Sequence, residues 1–160
     1  MRVATGVDDH VELLFRPRWT YISCVRKFLS GFFLIGLSDR ERAEQISMAA
    51  HELLENAIKY SSEESSHLRV QVTMRPGEID LVVENPADPH QINVLRREFA
   101  LINTAEPEEM YLRRMQEAAR SGGQSRLGLI RIRHDAGATL RLEAGERDVA
   151  IHAIFPREEA

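Results

Sequence analysis

The sequence predicts an α+β fold of the two-layer sandwich kind, a mixed sheet with helices on one face. Two observations lead there. Two pairs of alternating apolar runs are each joined by a turn signal, which is how antiparallel hairpins read. Long stretches with apolar residues at helical spacing lie before and between them. One-sided burial requires that alternation of apolar and polar faces.

In chain order, Val11, Leu13 and Phe15 alternate with polar residues and predict a short strand ending at Pro17. Tyr21, Val25, Phe28, Phe32 and Ile35 recur at helical spacing and predict a helix to about Gly36. Ser38-Asp39-Arg40-Glu41 has the form of a capping box and should open a second helix, with Ala43, Ile46, Ala50, Leu53, Ala57 and Tyr60 on its buried stripe. The serine-rich run Ser61 to Ser66 ends it. Leu68, Val70, Val72 and Met74, then Ile79, Leu81 and Val83, flank the turn Arg75-Pro76-Gly77-Glu78 and predict a hairpin. Residues 86–121 form a helical insertion, with helices near Ile92 to Asn103 and near Pro107 to Arg120, the latter with Pro in its first turn. Its Met110, Tyr111 and Met115 would either cover a nucleotide or bind a partner, or, as the favoured expectation, pack on the core, methionine being a gap filler. Leu127 to Asp135 predicts one more helix. Leu140 and Leu142, a turn at Ala144 to Arg147, then Val149, Ile151, Ala153 and Phe155 predict the closing hairpin.

A length of 160 residues fits one domain with a core of its own, and 43% hydrophobic with 29% charged residues is ordinary for a globular protein. Net charge is −4 with both signs interspersed, so no nucleic-acid surface is expected. The single cysteine, Cys24, excludes an internal disulfide and agrees with a reducing cytoplasm. The longest apolar run, Gly31 to Leu37, is too short for a bilayer, so no membrane segment is expected. The six histidines show no zinc spacing, and no Walker-type loop or Gly-x-Ser-x-Gly is present.

The chemistry concentrates in His51-Glu52-Leu53-Leu54-Glu55-Asn56-Ala57-Ile58-Lys59-Tyr60. At about 100° per residue, Glu52 and Asn56 share one helix face with Lys59 beside them. A carboxylate, a neutral oxygen ligand and an ammonium in line suit a metal-bound phosphate. For an arbitrary amphipathic helix the same residues would be a solvated edge.

This stretch resembles the N box of the GHKL ATP-binding superfamily, which comprises histidine kinases, gyrase-type ATPases and anti-sigma-factor serine kinases. The resemblance runs from about Val11 to Pro156 and implies that family's two-layer fold. It also implies Asn56 as Mg²⁺ ligand, Glu52 as general base and Lys59 close to phosphate. Where the family has Asp-x-Gly-x-Gly against adenine, this chain has Asn85-Pro86-Ala87-Asp88-Pro89, with Asn85 in the aspartate's place. An amide accepts a hydrogen bond without charge assistance, and the prolines remove two backbone donors. The family's glycine-rich lid hinge is matched by Gly122-Gly123-Gln124-Ser125-Arg126-Leu127-Gly128-Leu129, so Gly122, Gly123, Arg126, Gly128 and Leu129 are implied cofactor contacts. The threonine many members place near adenine falls at Val149 or Ala150 and is absent. At this size the chain is most similar to stand-alone anti-sigma-factor serine/threonine kinases. That implies ATP and Mg²⁺ as cofactors, a regulatory protein partner, a small antagonist as phosphoacceptor and a possible homodimer. A catalytically inactive GHKL interaction module is the alternative that the altered adenine segment implies.

Overall fold

The computed structural model describes residues 9–61, 67–102, 109, 112, 113, 115, 116 and 127–157. Five strands form one sheet in the order β1-β2-β3-β5-β4: β1 Asp9–Phe15, β2 Leu68–Arg75, β3 Glu78–Pro86, β4 Thr139–Ala144 and β5 Asp148–Pro156. Helices α1 Trp19–Leu37, α2 Arg40–Tyr60, α3 Pro89–Ile102 and α4 Leu127–Ala136 complete the α+β sandwich. Every strand pair is antiparallel, so the sheet is not mixed as expected. The cause is the return of β5 between β3 and β4, antiparallel to both.

Strand alternation decides what each face does. Val70, Val72, Leu81, Val83, Ile151 and Ala153 point one way and are buried. The opposite face carries Glu12, Arg69 and Glu84, linked at 3.1 and 3.8 Å, and Asp80, His152 and Glu143, linked at 3.5 Å each. Pro76-Gly77 turns the first hairpin: proline presets its φ and glycine takes φ 82°, a value other residues avoid.

The junction of α1 and α2 departs from the sequence reading. Ser38 is not the N-cap of α2 but ends α1 in the left-handed region, φ 55°, with its N–H donating to Leu34 O. Asp39 caps α2 instead, its carboxylate accepting from the Arg42 N–H at 3.2 Å. Two arginines then tie helix ends to strands. The Arg42 guanidinium donates to Ala136 O at 2.8 Å and Pro156 O at 3.0 Å, and that of Arg157 to Gly36 O at 3.1 Å and Arg75 O at 3.3 Å.

By length and composition alone α1 would cross a bilayer, at mean hydropathy 1.3, because the helix extends well beyond its longest uninterrupted apolar run. Its Ile22, Val25, Leu29 and Phe33 face is nevertheless built into the core. Gly36 is where α1 meets the sheet, since a Cβ there would collide with Cε of the buried Met74 and lie 3.0 Å from its Sδ. At Gly31 an added Cβ meets nothing within 4 Å. Gly36→Ala is therefore expected to lower stability by about 1–2 kcal/mol through overpacking. Gly31→Ala should raise it by about 0.5–1 kcal/mol. Urea denaturation of the pair reads both, and equal effects would show that Met74 adjusts freely.

α3 begins three residues earlier than expected because Asp88 and Gln91 form a capping box. The Gln91 N–H donates to Asp88 Oδ1 at 2.8 Å and the Asp88 N–H to Gln91 Oε1 at 3.3 Å, with Pro89 in the first helical position, which lacks a partner for an N–H in any case. α3 then buries Ile92, Leu95, Phe99 and Ile102 in the core. The expected helix from Pro107 to Arg120 lies largely outside the described residues, as do Met110 and Tyr111. Met115 is 46% exposed, so it does not pack on the core as expected.

Candidate functional site

The site lies on one flank of α2. The centre of that helix, Ile46, Ala50, Leu53 and Ala57, faces the core. Counting about 100° per residue, Gln45, Ala49, Glu52 and Asn56 fall on the flank toward α4. Gly128, the second residue of α4, sits directly against it. A Cβ added there would lie 2.6 Å from Glu52 Oε2 and 3.7 Å from Asn56 Nδ2. Glycine is thus what lets the α4 backbone approach the carboxylate and the amide.

Asn56 is half-buried, and among the described residues its side chain makes no hydrogen bond. Among the described residues Glu52 has one ion-pair partner, Arg131 at 3.8 Å, from the next turn of α4. Burial, and then the neighbouring Glu55, raises the Glu52 carboxyl above its ordinary value near 4.5, while Arg131 and His51 pull it back. His51 is itself held by Glu55 at 2.9 Å.

A carboxyl raised on folding weakens the fold wherever it must ionise. Below pH 4.5 Glu52 is neutral in both states and costs nothing. The cost grows as pH rises above 4.5 and is complete above the folded-state value. Glu52→Gln is expected to melt higher than wild type at pH 8, by a margin that closes on approach to pH 4. A margin independent of pH would remove ionisation as its cause.

The other expected residues divide. Leu129 is 5% exposed and borders, with Asn56, Lys59, Tyr60, Val94, Leu95 and Glu98, a cavity of about 30 Å³. Lys59 is exposed, with Nζ 5.5 Å from the Tyr60 ring centroid. Asn85 lies on the buried face of β3, 4% exposed and opposite Val149, and its Nδ2 donates to Pro86 O at 2.9 Å. Ala87 is buried, and its N–H is taken by Arg147 O at 3.0 Å. Gly122, Gly123 and Arg126 lie outside the described residues. Two neighbours were missed from sequence. Arg131 was legible as the residue three after Gly128, on the same face of its helix. Buried Glu98 had no local signal, since only α3 packing brings it to Asn56.

The fit to Mg-ATP is uneven. At the phosphate end, an open amide, a carboxyl of raised proton affinity and an approachable backbone suit a metal-bound phosphate. At the base end, the Asp88–Gln91 cap stands where the resemblance calls for a flexible loop. The 30 Å³ cavity holds about one water, against several hundred Å³ for a ligand pocket. A second recess between α2 and α4, lined by Gln45, Met48, Ala49, Glu52 and Arg131, is about 60 Å³.

No protein-family model matches the sequence, and no curated protein does. Among solved structures, the chain is similar to one in the crystal structure of the SiaB–SiaC complex from Pseudomonas aeruginosa. The TM-score is 0.73 at 14% identity, covering 91% of this chain and 89% of that one. It is also matched to a mycobacterial sensor histidine kinase, MprB, at TM-score 0.46 and 19% identity, covering 92% and 97%. The first likeness shows a common fold across nearly the whole chain.

Proposed function

We propose that this chain is a GHKL-type cytoplasmic signalling regulator that binds Mg-ATP and acts, in the manner of anti-sigma-factor serine/threonine kinases, on a small antagonist protein. The observation that carries this reading is the approach of Gly128 to Glu52 and Asn56. It brings two elements of the sequence resemblance, the helix carrying Glu52 and Asn56 and the glycine-rich segment, into one place, although they are distant in sequence. The fold shared with a chain of the SiaB–SiaC complex supports a regulator working through a partner protein.

Mg-ATP would supply the transferable phosphoryl group and the metal's charge. The chain's part is positioning and proton handling, the main protein contribution in such reactions. Asn56 offers Oδ1 as metal ligand. Glu52 would take the proton of the acceptor hydroxyl at a carboxylate oxygen, and burial, by raising its affinity for protons, suits it to the task. Arg131 holds that carboxyl toward α4. Lys59 would turn from Tyr60 toward phosphate.

A second reading, an inactive GHKL module that only binds partners, is favoured by the capped start of α3 and the small cavity beside Asn56. Calorimetric titration with Mg-ATP separates the two. Saturable heat that requires magnesium supports the first reading, and no heat at millimolar nucleotide supports the second.

A further inference from the structure

α1 has two apolar faces. Ile22, Val25, Leu29 and Phe33 enter the core, while Tyr21, Phe28 and Ile35 face outward at 39%, 46% and 84% exposure. Exposed Cys24 and Gly31 lie between them, and the Phe28 and Phe32 rings stack at 6.3 Å. Tyr21, Phe28 and Ile35 are spaced by seven, with Cys24 and Gly31 at the intermediate positions. This is the seam of a helix that packs against another helix at a shallow angle. Gly31, with nothing near its Cβ position, leaves room for close approach. One such residue is unremarkable on a surface, but a stripe of them along a helix marks an interaction site.

Charge selects the occupant. From Leu13 to Ser38 the chain has no acidic residue and four basic ones, Arg16, Arg18, Arg26 and Lys27, in a protein of net charge −4. Among the described residues none of the four makes an ion pair. Arg26 lies on the far side of the helix from this seam, donating to Met48 Sδ at 3.3 Å. Lys27 therefore borders the seam, and Arg16 and Arg18 stand at its N-terminal end. An antiparallel second copy would set Lys27 against Lys27, which opposes pairing. We infer that the outer face of α1 is the docking surface for an amphipathic helix of a partner protein, whose apolar seam is flanked by Asp and Glu. This rests on the proposed function only in requiring a protein partner, and not on nucleotide binding.

The single tryptophan, Trp19, is 59% exposed at the start of α1 and reports occupancy by its fluorescence. The probes are two synthetic helices of about three heptads with leucine seams, one flanked by Glu and one by Lys. The Glu-flanked helix should shift Trp19 emission to the blue and bind at least about tenfold tighter than the Lys-flanked one. Lys27→Glu should reverse that preference, and Phe28→Glu should weaken both while leaving the melting temperature near wild type. Equal binding of the two helices, or none, overturns the inference. So does a stronger shift with vesicles of phosphatidylserine in phosphatidylcholine, or sedimentation as a dimer that Phe28→Glu dissociates. Mg-ATP calorimetry and helix titration, both on the wild-type protein, keep the two proposals apart. Nucleotide heat without helix binding sinks only the docking surface, and helix binding without heat sinks only the nucleotide site.

Discussion

On the proposed nucleotide site, replacing Asn56 by alanine is expected to weaken Mg-ATP binding by at least about a hundredfold, while shifting the melting temperature little. The side chain is half-buried at the seam of α2 and α4 and makes no hydrogen bond among the described residues, so the fold does not depend on it. A metal ligand is another matter. Without the Asn56 amide oxygen, Mg²⁺ would lose a protein ligand, and water taking its place would not fix the phosphates. Calorimetry on wild type and variant, with and without magnesium, reads this. An Asn56→Ala protein that retains wild-type heat would end the assignment of that amide to the metal. A variant that melts far lower would show that the residue is structural. Glu52→Ala should separate differently, keeping the binding and losing transfer to the acceptor protein.

Asn85→Asp is expected to cost about 2–4 kcal/mol of stability at pH 7, from an uncompensated buried charge. The side chain is 4% exposed, and its Nδ2 donates to Pro86 O. A carboxylate there loses that donor and sets its charge against a carbonyl oxygen. The deficit should close as pH falls. The carboxyl is disfavoured as an anion by burial, so its folded value lies above the unfolded one, near 3.9. Below the unfolded value both states are protonated and the penalty is gone; above the folded value it is complete. Urea midpoints at pH 4 and 7 test this. A penalty unchanged between them would point to lost packing, not charge. The same variant bears on the base end of the site: if Asn85 stands where an adenine amino group docks, aspartate should favour adenine over guanine nucleotides.

Local pattern carried much of this protein, and failures cluster where tertiary contacts decide. The stripe from Ala43 to Tyr60 fixed α2 because six apolar positions agree on one face. Arg75-Pro76-Gly77-Glu78 placed the first hairpin because that turn has few alternatives. Ser38 misled: Ser-x-x-Glu reads as a cap, yet the reversal between α1 and α2 demands a left-handed residue there, and Asp39 takes the capping role. The antiparallel course of β5 depends on where the chain returns, which no window of residues encodes. In the site, Glu52 and Asn56 were legible because both lie on one helix. Arg131 was within reach of the same helical counting from Gly128, whereas Glu98 was not, because only the packing of α3 brings it near. The Asp88–Gln91 cap was written in the sequence but obscured by its overlap with the segment compared with Asp-x-Gly-x-Gly.

The position of β5 has a consequence for how the protein is made. It emerges from the ribosome after every other strand, yet it occupies an interior place, between β3 and β4. Until Asp148–Pro156 is available, β3 presents an open edge lined by Ile79, Leu81 and Val83, and β4 has nothing to pair with. Nascent chains stalled before Asp148 therefore expose a sticky β-edge, and chaperone demand during translation should be greatest there.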